Sequence, residues 1–451
     1  MKILIVGCGQ VGFTLAERLN RENHDITLID SDPDTLRSVA DSIDVMSVTG
    51  NGASYQVQME AGIADADLLI ATTNSDELNM LCCLIAKKAG NCHTIARIRN
   101  PEYSTEVNYI REELNLSLAI NPELASAVEI SRLLRFPSAI KIDTFAKGRV
   151  ELLKFIIPEG SKLDHMKVME VGTRLKCNVL ICVVERGKDV VIPGGNFELM
   201  AGDKISFIAS QKDSTDFFQK VGIVNNSVRS IMIVGGGKLT YYLAKVLKDT
   251  NIKIKIIEQD LEHCNELSES LPHTMIIHGN GSDQQLLAEE GLGRMEAFAS
   301  MTGLDEENIM LSLYAASKSN AKLITKVNRT TFSDVVDSLN LGSVIYPKLL
   351  TADLILQYVR AMQNSLGSNV ETLYRIADDR AEALEFRIGP DAPVVGIPLE
   401  KLQLKKNLLV ACINRRGKVI TPRGKDRMEV GDTVIIVTTN QGLKDIKDIL
   451  Q

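Results

Sequence analysis

Apolar runs of four to six residues recur at 2 to 6, 26 to 29, 45 to 49, 67 to 72, 93 to 98 and 117 to 120, separated by longer stretches with helical spacing. Unbroken aliphatic runs predict strands buried on both faces, and strands alternating with helices predict a parallel, doubly wound sheet. The same succession returns from about 230 to 346. After each predicted sheet a proline opens a helix, in Asn121-Pro122-Glu123 and Tyr346-Pro347-Lys348, where its missing N–H costs nothing. The segments 141 to 225 and 369 to 451 read as short alternating strands, with Gly202-Asp203 and Gly431-Asp432 as tight turns before β-forming runs.

The pattern is duplicated. Lys2-Ile-Leu-Ile-Val-Gly-Cys-Gly-Gln-Val-Gly12 matches Ser230-Ile-Met-Ile-Val-Gly-Gly-Gly-Lys-Leu-Thr240, and further matches follow in the same order. Asp30 corresponds to Glu258, Gly50-Asn51-Gly52 to Gly279-Asn280-Gly281, and Asp76, Glu77 and Asn79 to Asp305, Glu306 and Asn308. Chance does not preserve such order and spacing. The chain therefore divides into 1–120, a Rossmann-like lobe; 121–140, a crossover helix; 141–225, a small α+β lobe; and the repeat of all three as 228–346, 347–368 and 369–451. Ala125, Val128, Ile130 and Leu133-Leu134, with Leu349-Leu350, Leu354-Ile355 and Val359, leave more apolar surface on the two crossover helices than a short connector requires, which suits assembly elements or packing onto their own lobes.

Length alone, at 451 residues, suggests about three domains, and the repeat changes that to four compact units. Aromatics at 4% with no Trp predict aliphatic cores. A formal charge of −7 argues against a nucleic-acid partner held by a broadly basic surface. No apolar run approaches the roughly 20 residues needed to cross a bilayer, and the first residues run straight into a strand, so the chain is expected in the cytoplasm. Eight Cys without a Cys-x-x-Cys pair, and six His without ligand spacing, predict no disulfide framework and no metal site.

Candidate chemistry lies at the strand-to-helix turns. Gly7, Gly9 and Gly12 form G-x-G-x-x-G, in which the glycines permit the turn, backbone approach to a pyrophosphate, and close packing of helix on strand. Asp30, ending the second strand, suits both hydroxyls of an adenosine ribose and would repel a 2′-phosphate, favouring NAD(H), ATP or ADP over NADP(H). Gly235 and Gly237 repeat the loop and Glu258 the carboxylate, but Thr240 replaces the third glycine. A side chain there is expected to push the helix off the strand and weaken phosphate binding. Thr72-Thr73-Asn74 stands at the carboxyl edge of the fourth strand and faces adenine or ribose in this reading. Arg97 and Arg99, ending the fifth strand, reach phosphates with forked donors, and Lys326 is the counterpart of Arg97.

These residues together resemble the regulator-of-potassium-conductance (RCK, or KTN) domain family. The resemblance rests on Gly7 to Gly12, Asp30, Gly50-Asn51-Gly52, Thr73-Asn74-Ser75-Asp76-Glu77 with Asn79, and Ile95 to Arg99. Tandem domains, each with its own C-terminal lobe, resemble the cytosolic subunits of Trk-type potassium-uptake systems. The resemblance implies a non-enzymatic regulator that binds NAD(H) or ATP/ADP. It implies a homo-tetrameric ring docked at the inner face of the cell membrane on a membrane-embedded potassium transporter subunit of the Trk type. It assigns phosphates to Gly7, Cys8, Gly9, Gln10 and Val11, ribose to Asp30, adenosine to Thr73 and Asn74, and a phosphate or neighbouring nucleotide to Arg97. Asn51 stands where related domains often carry Asp, so divalent-ion sensing is not expected there. The rival readings are an NAD-dependent oxidoreductase with duplicated Rossmann lobes and a scaffold with vestigial sites.

Overall fold

The computed structural model describes all residues except 146–148, 223–227, 330–332, 340, 365–369, 378–379 and 441. The expected boundaries at 225, 368 and 369 therefore lie outside the described residues. In chain order the strands are β1 (Lys2–Val6), β2 (Asp25–Asp30), β3 (Met46–Thr49), β4 (Leu68–Ala71), β5 (His93–Arg97) and β6 (Leu118–Ile120); then β7 (Lys141–Phe145), β8 (Val150–Ile156), β9 (Leu180–Arg186), β10 (Asp189–Val191) and β11 (Lys204–Ser210). The repeat supplies β12 (Ser230–Val234), β13 (Lys253–Glu258), β14 (Met275–His278), β15 (Ala297–Ser300), β16 (Lys322–Lys326) and β17 (Ser343–Ile345), followed by β18 (Val370–Ile376), β19 (Ala381–Arg387), β20 (Leu408–Arg415), β21 (Lys418–Ile420) and β22 (Thr433–Thr438).

The contacts divide the chain into two units, one of Met1–Ser131 with Arg229–Leu356 and one of Arg132–Val228 with Gln357–Gln451. The first unit holds two parallel sheets, ordered β3-β2-β1-β4-β5-β6 and β14-β13-β12-β15-β16-β17. This is the doubly wound order, whose ligand crevice opens beside the first strand where the winding reverses. Ile3, Leu4, Ile5 and Val6 are all at most 2% exposed, because helices cover both faces of a parallel sheet. The fold class expected from the strand and helix pattern is the one observed.

Within this unit the two lobes meet along a seam. Arg18, on the helix Gln10–Arg21, pairs with Asp353 on the helix Pro347–Asn364. The Tyr242 hydroxyl donates to Arg99 O at 3.0 Å, and the Lys348 ammonium donates to Gln10 Oε1. On the crossover helices Ile130 and Ile355 of this unit are buried, as are Leu133, Leu134 and Val359 of the second, whereas Leu124 and Leu354 stay 37% and 38% exposed. Ala125, Val128, Leu349 and Leu350 are half-buried.

The second unit holds two antiparallel sheets, β10-β9-β11-β8-β7 and β18-β19-β22-β20-β21. They share one core, in which Phe145, Cys182 and Val183 meet Ala383, Cys412 and Ile435. Each sheet carries the same arginine–aspartate anchor, its carboxylate buried. Arg186 holds Asp203 through Nε and Nη2, both at 2.7 Å, and Arg415 holds Asp432 at 2.9 and 2.8 Å. Eight of the eleven phenylalanines lie here, with Phe155, Phe207, Phe217 and Phe218 packed within 6.0 Å of one another.

Candidate functional site

Val6 is in register with Ile29 and Ala71, so three strands stop at one level and the loop after β1 lies over their carboxyl edge. Gly7 leaves the strand at φ +92°, and a Cβ there would come within 2.8 Å of the Thr73 amide nitrogen. A Cβ on Gly12 would stand 1.9 Å from Gly7 O. These two glycines serve the protein's own packing. Gly9 differs, since a Cβ built on it meets nothing within 4 Å; its backbone borders open space. The helix Gln10–Arg21 starts at Gly9 with no side-chain cap, so its first-turn amides face that space as donors for an anion. Cys8 and Val11 are buried, and Gln10 is exposed.

Asp30 is fastened beneath this loop. Its Oδ2 accepts from the Cys8 amide at 2.6 Å and its Oδ1 from the Asp32 amide at 3.0 Å. A carboxylate oxygen has two lone pairs, so both oxygens keep one for a ribose hydroxyl. Burial, with the Asp30 charge adding to it, pushes the Cys8 thiol up to about 12. The thiol stays protonated at neutral pH.

The expected ligand-facing segment after β4 is spent partly on the loop itself. The Thr72 hydroxyl donates to Val6 O and Gly7 O at 3.3 and 3.2 Å. Asn79, fully buried, holds Thr73 by accepting from its amide at 2.8 Å and its hydroxyl at 2.7 Å, and donates to Arg97 O at 2.9 Å. Asn74 is exposed. Arg97 donates from Nη2 to Thr73 O at 2.5 Å, while its buried Nε has no hydrogen-bond partner. Arg97 and Asn74 thus meet at the edge of the crevice. Arg99 does not join them, because Glu123 accepts from its Nε at 2.8 Å. Burial lowers the Arg97 guanidinium pKa, and the charge of Arg99 lowers it further.

The second lobe repeats the plan with exchanged parts. Glu258 Oε2 accepts from the Gly236 amide at 2.7 Å and Oε1 from the Asp260 amide at 3.0 Å, and Gly237 borders open space as Gly9 does. Lys326 donates to Thr302 O at 3.0 Å in the manner of Arg97. Thr240 is fully buried and its hydroxyl donates to Gly235 O at 2.6 Å. Met301 occupies the place of Thr72, its sulfur 3.7 Å from the Thr240 hydroxyl. The loop carbonyl therefore receives a threonine hydroxyl in both lobes, from the strand side in one and from the helix side in the other. The third glycine is replaced by a bonded residue, which is why the helix remains seated against the strand end.

His263, the third residue of the helix Leu261–Ser270, has no counterpart in the first lobe. Its Nε2 meets Gly236 O at 3.0 Å and its Nδ1 meets Glu266 at 3.0 Å. Burial acts to lower its pKa, but the bonds to Glu266 and Gly236 and the charge of Glu258 carry it above the ordinary value. Two further pairs, Asp76 with Asp305 and Asn79 with Asn308, hold the sites without having been assigned a role from sequence. Asp76 accepts from the Arg99 and Asn100 amides at 2.8 and 2.7 Å, and Asp305 from the Asn328 and Arg329 amides at 2.9 Å. Their signal was the recurrence of Asp and Asn at the same spacing in both halves. Among the described residues, no group of three His, Cys, Asp or Glu is placed to hold a metal ion.

The TrkA-N domain model matches residues 3–122 and again 231–347, and the TrkA-C domain model matches 152–222 and 383–451. The chain belongs to the TrkA family. It is 32% identical over 455 residues to the Trk system potassium uptake protein TrkA of Halomonas elongata, covering 100% of this chain and 99% of the relative. It is 30% identical over 459 residues to TrkA homolog 2 of Methanosarcina mazei, covering both chains completely. Among solved structures, the fold is similar to that of a chain described as "GsuK channel bound to NAD", with a TM-score of 0.62 at 15% identity over 98% of this chain and 77% of that one. A chain described as "GsuK bound to ADP" aligns with a TM-score of 0.51 at 14% identity over 80% of this chain and 69% of that one. Among the described residues of this TrkA-family chain, no helix is long and apolar enough to cross a membrane.

Proposed function

We propose that this chain is the regulatory nucleotide-binding subunit of a Trk-type potassium-uptake system, acting on a membrane-embedded potassium transporter subunit through a nucleotide-dependent change of shape. The observation that carries the reading is the loop and carboxylate built twice. Cys8 N to Asp30 and Gly236 N to Glu258 share one geometry at 2.6 and 2.7 Å, each beside a glycine, Gly9 or Gly237, whose face is open. In the first lobe the amides of Gly9, Gln10 and Val11 hold phosphates, those of Gly7 and Cys8 being taken by Ile29 O and Asp30; Asp30 holds the ribose, and Thr73, Asn74 and Arg97 border the rest of the ligand. In the second lobe Gly235, Gly237 and Glu258 do the same.

The ligand class is an adenine nucleotide with both ribose hydroxyls free, NAD(H) or ATP/ADP. The bound nucleotide contributes charge and hydrogen-bonding groups and undergoes no reaction. The one thiol in the loop, Cys8, is held protonated by its burial and is no nucleophile. A nucleotide shifts the balance between two shapes only by its different affinity for them, about 1 to 3 kcal/mol of coupling in ordinary cases. Four copies form a ring that docks at the inner face of the membrane on the transporter subunit.

Calorimetry of the full chain with ADP, ATP and NADH tests the site. Two nucleotides per chain are expected, with Asp30→Ala removing one and Glu258→Ala the other. Absence of binding to the wild-type chain, or binding indifferent to both substitutions, would remove the basis of the reading.

A further inference from the structure

The second glycine loop differs from the first in what holds its middle residue. Gly236 is gripped at both ends, its amide donating to Glu258 Oε2 at 2.7 Å and its carbonyl oxygen lying 3.0 Å from His263 Nε2. A Cβ there would crowd Leu267 Cδ1 at 2.5 Å and Glu258 Oε2 at 3.0 Å, which favours glycine and leaves Gly235-Gly236-Gly237 with little stiffness of its own. In the first lobe Cys8 stands at this position with a buried side chain. The residue there corresponding to His263 is Thr35, whose hydroxyl donates to Asp32. The histidine thus supplies a restraint that the first loop takes from its own side chain.

The other ring nitrogen of His263, Nδ1, lies 3.0 Å from Glu266 Oε2. Carbonyl and carboxylate oxygens only accept, and a neutral imidazole donates from one nitrogen, so both contacts are hydrogen bonds only for the imidazolium. When one proton leaves, the other stays with the carboxylate, the stronger acceptor, and a lone pair on Nε2 faces Gly236 O. The neighbouring charges suit the charged ring. Glu258, ending β13, and Glu266, on the same helix, both act on it, and the Asp260 side chain accepts from the His263 amide. Lys238, opening the helix Lys238–Leu247, acts on Glu77 of the first lobe, and His278, ending β14, meets Gln259 O at 3.1 Å. A trans peptide keeps its C=O and N–H antiparallel. Holding Gly236 O therefore fixes the direction of the Gly237 amide, at the uncapped start of that helix.

We propose that His263 is a positioning residue of the second nucleotide site: as the imidazolium it sets the Gly236–Gly237 peptide for a phosphate, so that binding there takes up a proton and weakens as pH rises, while the first site stays indifferent. This rests on the nucleotide-binding reading above and adds a regulation of one site. An anionic ligand and a charged ring favour each other. The contribution is full where the ring is charged and fades as pH rises through its folded pKa.

The test is calorimetry of the full chain from about pH 5.5 to about pH 8.5, with Asp30→Ala to read the second site and Glu258→Ala to read the first. The probes are NAD, whose esterified phosphates keep their charge over this range, and ADP. At the second site NAD affinity should fall about three- to tenfold between the two ends, the worth of one net hydrogen bond. Proton uptake should appear as a binding enthalpy that varies with the ionisation enthalpy of the buffer, and the first site should show none with NAD. Adding His263→Ala to the Asp30→Ala chain should leave the weaker affinity at every pH and abolish the uptake. His263→Gln, whose amide donates without titrating, should restore affinity at the alkaline end. ADP titrates itself, so its expected signature is the difference between the Asp30→Ala chains with and without His263→Ala. Equal pH profiles in those two chains, for either nucleotide, overturn the proposal while leaving the nucleotide reading standing. A wild-type chain that binds neither nucleotide at any of these pH values defeats the nucleotide reading itself.

Discussion

Replacing Gly12 by alanine puts a Cβ 1.9 Å from Gly7 O, where contacts below 3.0 Å force a shift, so about 1 Å of separation must open between the helix Gln10–Arg21 and the end of β1. Such overpacking costs about 1 to 3 kcal/mol, and the better helix propensity of alanine returns up to about 1. The net loss of stability is therefore modest. The loop amides, however, move by a distance that costs a ligand at least about tenfold in affinity. Gly12→Ala is expected to remain folded and to bind nucleotide weakly at the first site. The second lobe suggests a repair. There the helix threonine donates to the loop carbonyl and Met301 replaces the strand threonine, so Gly12→Thr combined with Thr72→Met rebuilds that pair in the first lobe. In Gly12→Thr alone, the introduced hydroxyl and Thr72 compete for Gly7 O. Hydrogen exchange of the β1 amides across the double-mutant cycle should show a favourable coupling of about 1 kcal/mol, one net hydrogen bond. Strict additivity of the two substitutions, or wild-type nucleotide affinity in Gly12→Ala, would refute the steric argument.

Asn79→Ala leaves the Thr73 amide and the Arg97 carbonyl without their buried partner, and the first lobe should lose about 2 to 4 kcal/mol, read as earlier local unfolding by hydrogen exchange; unaltered protection would contradict the anchoring role. Removing Arg186 strands Asp203, only 2% exposed; with the arginine itself half in solvent the loss should be about 1 to 3 kcal/mol, and Arg415→Ala should match it in the other sheet, both by thermal unfolding. For His263 the folded pKa lies above 6.5, so its contribution is full below the unfolded pKa and fades as pH rises through the folded one. The thermal deficit of His263→Gln should be larger at about pH 5.5 than at about pH 8.5, and the reverse order would show that the histidine is held neutral.

The strand ends and glycine loops were legible because their causes are local. The run Ile3 to Val6 must be buried on two sides, Gly7 must turn, and a carboxylate 18 residues after Gly12 falls at the end of the neighbouring strand. Duplication supplied a second reading of each motif, which is how Asp76 and Asn79 stood out before they had a task. What escaped is non-local. That Thr240 takes over the work of Thr72 depends on Met301, just past the end of β15 and far along the chain, and a glycine missing from a motif gives no hint of it. The contact of Lys348 with Gln10 spans 338 positions and exists only because one lobe faces the other.

The most direct measurement of the central claim is potassium flux through the Trk-type transporter subunit in vesicles, with this chain and ADP, ATP or NADH added on the inner-face side. Flux that depends on nucleotide with the wild-type chain, and loses that dependence with the Asp30→Ala, Glu258→Ala double variant, is the predicted result. Flux indifferent to the chain, or equally responsive to nucleotide with the double variant, would contradict it.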